Sequence, residues 1–160
     1  MRSFGLFVVA VLTAVLFAYP VTANAATVVA TINGGGTAIM DPSKSALSLE
    51  GTSSFGMHAT LYSDGTAKGH LNCIDQQNHS NSPGNIFGEV TSWSGSPDSP
   101  TLNVVGKFVS LPGGHPEDVE FSVTILHFGG AGVGQWTLHF GTFVVCFETL
   151  MSGQIVMRRP

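Results

Sequence analysis

The chain has 160 residues, of which 43% are hydrophobic and only 10% charged, with a formal net charge of −4 at pH 7. So high an apolar fraction excludes a disordered chain. Six basic residues without a basic patch or Arg–aromatic interleaving exclude a nucleic-acid binder.

Residues 1–25 read as a secretory signal peptide. Arg2 supplies the positive n-region, "FGLFVVAVLTAVLFAYP" the apolar h-region, and Ala23-Asn24-Ala25 a small-x-small cleavage site. The apolar run is short for a membrane span, so no membrane association is expected after cleavage. Residues 26–160 are then one secreted or periplasmic domain, with five basic residues against all ten acids. That length is enough for a hydrophobic core.

No window after the leader carries a 3.6-residue apolar period, and no significant helix is expected. Short alternating or β-branched runs recur instead. They predict strands at 27–32, 37–40, 46–50, 53–62, 66–75, 86–94, 101–111, 119–128, 135–140, 142–150 and 154–158. The punctuation is "NGGG", "DPSK", "SDG", "QQNHSNSPGN", "SGSPDSP", "PGGHPED", "GGAGVG" and "MSG". Roughly eight to eleven short antiparallel strands at this spacing predict an all-β sandwich or barrel.

One hairpin can be read to single-residue register. Around Ser63-Asp64-Gly65, a two-residue turn would set Lys68 and His70 among Met57, Ala59 and Leu61. A three-residue loop with Gly65 in the left-handed position shifts the pairing by one. Phe55, Met57, Ala59 and Leu61 then share a face with Ala67, Leu71 and Cys73, and His58 lies opposite His70. Burial of the apolar face selects this register. Two histidines alone are an incomplete zinc set.

Cys73 and Cys146 are the two cysteines of the chain. An even count in an exported protein predicts a disulfide between them, worth roughly 4 kcal/mol through closure of a long loop.

Strand directions locate a candidate site. If every connection from residue 53 onward reverses the chain, loops 75–85 and 112–118 lie at one end of the domain, with His139 nearby. That end gathers Asp75, Gln76, Asn78, His79, His115, Glu117 and Asp118. The expected metal ligands are Asp75, His79, His115 and Asp118. The oxygen-rich set suits Ca²⁺ in preference to Zn²⁺. The expected catalytic residues are Asp118 or Glu117 as general base, with His115. Set against this, polar loops are ordinarily just solvated. No nucleophile elbow, His-Glu-x-x-His or EF-hand motif is present.

The stretches "ATLYSDGTAKGHLNC", "NIFGEVTSWS", "VGKFVSLPGGHPEDVEFSVTI" and "FGGAGVGQWTL" resemble a family of small secreted bacterial proteins of uncharacterised function, over most of residues 50–140. The chain is also similar to metagenome-derived hydrolases of N-acylhomoserine lactones. That second resemblance implies lactone opening and quorum quenching. It transfers no catalytic residue, because the metallo-lactonase H-x-H-x-D-H run is absent here. The expectation is therefore a secreted hydrolase of a lactone or ester, with a small-molecule substrate and a divalent cation. The competing expectation is a non-enzymatic secreted module that binds a ligand or surface, or a structural envelope component.

Overall fold

The computed structural model describes residues 25–76 and 84–160. The leader residues 1–24 and the segment 77–83, which includes Asn78 and His79, lie outside the described residues.

The chain is an antiparallel, up-and-down β-barrel. Its strands are β1 (Val28–Met40), β2 (Gly51–Tyr62), β3 (Thr66–Asp75), β4 (Asn85–Ser96), β5 (Ser99–Val109) and β6 (Glu117–His127). A two-residue β7 (Gly129–Gly130), β8 (Gln135–Phe140) and β9 (Phe143–Arg158) follow. Eight strands form the wall in the order β1-β2-β3-β4-β5-β6-β8-β9, and β9 pairs back onto β1 to close it. β7 adds a short pairing to the far half of β9. Closure leaves the wall without an edge strand open to further pairing.

Three expected boundaries change. Strands 27–32 and 37–40 are one strand that runs straight through "NGGG", and 142–150 and 154–158 are likewise one. Residues 46–50 are not a strand: they follow a 3-10 turn at Pro42–Lys44, capped by the Asp41 carboxylate, which accepts from Ser43 N at 3.0 Å. The glycines read as breaks are sites of close backbone approach. A Cβ on Gly36 would sit 2.1 Å from the Ser152 carbonyl oxygen, and one on Gly153 would sit 1.9 Å from that of Gly35. Bare backbone on both strands lets β1 and β9 meet and seal the barrel.

The β2–β3 hairpin takes the expected register: His58 pairs with His70 and Leu61 with Ala67, with Gly65 at φ 83°. Alternation then sends one face of every strand inward. Ile32, Leu61, Leu71, Leu102, Val123, Ile125, Trp136 and Ile155 are all but fully buried there, each stabilising the fold by roughly 1.5–3 kcal/mol relative to exposure. Lys68, His70, Glu89, Asp118 and Glu120 point out and are exposed. An eight-stranded barrel is just wide enough for side chains to fill. Small inward residues such as Ala30, Ala38, Ala59 and Ala67 make room for Trp136, Phe55 and Phe121.

Candidate functional site

Strand directions place the ends of loops 76–84 and 110–116 side by side, since Asn85 pairs with Val109 at the mouth of the barrel. The side chains expected to share a cation there nevertheless diverge. Asp75 continues the inward face of Leu71 and Cys73 and is only 8% exposed. Asp118 lies on the outward face of β6 and pairs across the strands with Lys107, Nζ to Oδ1 2.5 Å. The two carboxylates thus face opposite sides of one wall. His115 and Glu117 are exposed. Among the described residues no group of three or more His, Cys, Asp or Glu is placed to hold a metal ion, so Asp75, His115 and Asp118 do not form the expected cation site. The fourth expected ligand, His79, lies outside the described residues.

The disulfide expectation is corrected too: Cys73 and Cys146 are free thiols, both buried. Going round the wall, β3 and β9 are separated by β2 and β1. A third group stands with the thiols. Glu148 follows Cys146 on the inward face of β9 and is fully buried. The Ser53 hydroxyl donates to Glu148 Oε2. The Cys73 thiol donates to Oε1 at 3.8 Å, and the Cys146 thiol lies near the same carboxyl.

Local sequence explains how these groups meet. Between β8 and β9, Leu138 pairs with Cys146 and His139 with Val144, which leaves Val145 as a bulge residue. The bulge turns both Val145 and Cys146 inward, at 4% and 3% exposure, and sets the phase that carries Glu148 and Leu150 inside. Glu148 then lies level with Met40 on β1 and Trp136 on β8. Trp136 packs against Phe55 with ring centroids 5.6 Å apart, and its indole N–H has no acceptor among the described residues.

The electrostatics follow from the surroundings. Burial pushes the Glu148 carboxyl up to about 7, and the nearby Asp75 adds to the rise. Hydrogen bonds from Ser53 and Cys73 and the nearby Cys146 thiol offset only part of it. Both thiols are raised well above the usual cysteine range, first by burial and then by the Glu148 charge. They are therefore poor nucleophiles, because the thiolate is the reactive form. His139, hydrogen-bonded to Thr137 Oγ1 at 2.7 Å, is lowered by partial burial.

A cavity opens at the same end, partly exposed to solvent. Its walls are Met40, Gly84, Ile86, Phe108, Leu138, Phe140 and Val145, with both Cys73 and Cys146 on its lining. Space for the centre of a water molecule is about 20 Å³, enough for one water. Glu148 lies behind the two sulfurs, one layer deeper.

Glu148 and Ser53 lie within strands, where the chemistry of the polar loops does not mark them. The available signal was phase. Glu148 alternates with Cys146 and Leu150, and Ser53 with Phe55 and Met57, so each is a polar residue at a core position. Such a residue is the informative exception to the burial rule. Comparison with family models, with curated proteins and with solved structures finds no match for this chain, and its functional reading therefore rests on its own residues.

Proposed function

We propose that the protein is a secreted binding barrel that takes a small guest at the end bearing loops 41–50 and 110–116, where the cavity, with room for about one water, widens around it. One observation carries the reading: an apolar cavity whose two thiols are backed by a buried carboxyl. A carboxyl at a core position stabilises the fold less than a packed hydrophobe of similar size, and perturbed groups beside a cavity mark functional sites. The leader at 1–25 supports export. The test is a titration of short neutral alcohols and lactones, followed by NMR of the Met40, Ile86 and Leu138 methyls. Saturable shifts at these three are expected. Shifts confined to exposed residues would remove the reading.

A second reading, hydrolysis of a lactone or ester, is favoured by Glu148 itself. A carboxyl with a pKa of about 7 is matched to general acid–base work at neutral pH. In this version Glu148 replaces Asp118, Glu117 and His115 as the acid–base group. Turnover of a lactone panel that disappears in Glu148→Gln and survives a chelator would favour it over simple binding.

A further inference from the structure

The outer wall carries a histidine pair that the mouth of the barrel does not use. Midway along β2 and β3 the register sets His58 directly across from His70. The same outward row continues to Asn33 on β1 and to Glu89 on β4. All four side chains reach solvent. The imidazole centroids of His58 and His70 are 6.1 Å apart, with the rings tilted by 41°.

One ring is already oriented. His58 Nδ1 lies 2.8 Å from Asn33 Oδ1. An amide oxygen only accepts, so the neutral imidazole carries its proton on Nδ1 and leaves the Nε2 lone pair open. A ring nitrogen anchored in this way is the usual support of a metal-ligating histidine. The next outward pair on the two strands is Gly35 and Gly56, which put no side chain beside the rings. A metal about 2.1 Å from one nitrogen of each ring sets the centroids roughly 4.6 Å apart at a right angle and 6.5 Å apart in line. The observed separation falls inside that interval, and small rotations of exposed side chains adjust it.

The donor set selects the ion. Among the described residues no third His, Cys, Asp or Glu is placed to join the pair as a ligand. Two imidazoles alone leave tetrahedral zinc short of protein ligands. A tetragonal Cu²⁺ ion accepts nitrogen and water oxygen together, and it stands highest in the affinity order of divalent ions for such donors. Glu89, across from His70, adds negative charge on this face, and Lys68, two residues before His70, opposes it.

We infer that His58 and His70 form a two-imidazole site for Cu²⁺ on the outer wall, with Asn33 positioning the His58 ring and water completing the coordination. The site is separate from the mouth cavity, and neither reading depends on the other.

The test is a titration of Cu²⁺ into the folded protein. Binding needs neutral imidazole, so weakly alkaline buffer is used. One equivalent is expected to broaden the ring-proton NMR signals of His58 and His70 together while those of His115 persist, with EPR hyperfine structure from two nitrogens. His58→Gln and His70→Gln each leave one imidazole and are expected to weaken binding about a hundredfold, as loss of the second, tethered ligand implies. Asn33→Ala is expected to weaken it about tenfold, and Asn33→Asp, which keeps an acceptor oxygen, to restore it. Broadening that begins at another histidine, or at one ring of the pair without the other, overturns the site. So does undiminished binding in the double variant His58→Gln, His70→Gln. Unchanged affinity in Asn33→Ala overturns the role given to Asn33. The wild-type spectra decide the matter should a variant not fold.

Discussion

Cys73 and Glu148, 75 residues apart in the chain, meet inside the barrel with Sγ 3.8 Å from Oε1. The contact exists because β3 and β9 both turn these positions inward at the same end of a closed wall. It joins a thiol expected to be in a disulfide to a carboxylate that no motif marks.

The burial of Glu148 predicts a pH dependence of stability in the guest-free protein. Glu148 has a folded-state pKa of about 7 against a model value of 4.5, so the folded state binds the proton more tightly. Its contribution is fully present below 4.5, is lost as pH rises toward 7, and stays lost above. The loss is roughly 3 kcal/mol. His139 acts in the opposite sense, because its pKa is lowered and protonation disfavours the fold as pH falls through the ordinary histidine range. Urea melts on either side of the window, in wild type and Glu148→Gln, measure the effect. A wild-type slope as flat as that of the variant would contradict it.

Ser53→Ala removes the one hydroxyl donor to the buried carboxyl. A loss of about 1–3 kcal/mol is expected, together with a further rise of the Glu148 pKa. Denaturant unfolding gives the first, and carboxyl-carbon NMR titration the second. A neutral substitution would mean that the hydroxyl is dispensable to the cluster.

The thiols are expected to be present and slow to react. Buried and held above the ordinary cysteine range, Cys73 and Cys146 should resist iodoacetamide in the native protein and alkylate fully in denaturant. Mass spectrometry of the intact chain, produced in an oxidising compartment, reads this directly. An intramolecular disulfide in that material would refute the free-thiol arrangement.

Asp118→Asn is expected to change stability by no more than ~0.5 kcal/mol. Its side chain is 89% exposed and its partner Lys107 is itself partly exposed. No dependence on added Ca²⁺ or on chelator is expected of the described residues at that loop. A cation-dependent melting temperature that vanishes in Asp118→Asn would restore a metal role for the 110–118 loop.

Gly65→Ala tests the hairpin register. Gly65 sits at φ 83°, and an L side chain there is strained, so a loss on the order of 1 kcal/mol is expected without loss of the His58–His70 pairing. Cross-strand NOEs between those two residues report the register, and their disappearance would show that Gly65 alone had fixed it.

What the sequence by itself determined was whatever period and turn chemistry control locally. The all-β class followed from two-residue alternation. The β2–β3 register followed because a slip by one would expose Met57, Ala59 and Leu61. Placement of the 76–84 and 110–116 ends together followed from strand parity alone. Tertiary structure decided what depends on closure. Whether the alternating faces make a sandwich or a barrel turns on the β1–β9 seam, where Gly36 and Gly153 read locally as breaks but serve as close contacts. The facing of Asp75 and Asp118 turned on which side of each strand meets the core, and it set them on opposite sides of the wall. The Glu148 cluster was hidden for the same reason: a bulge at Val145 sets the phase of β9. Only a closed wall brings the inward positions of β2, β3 and β9 to one point.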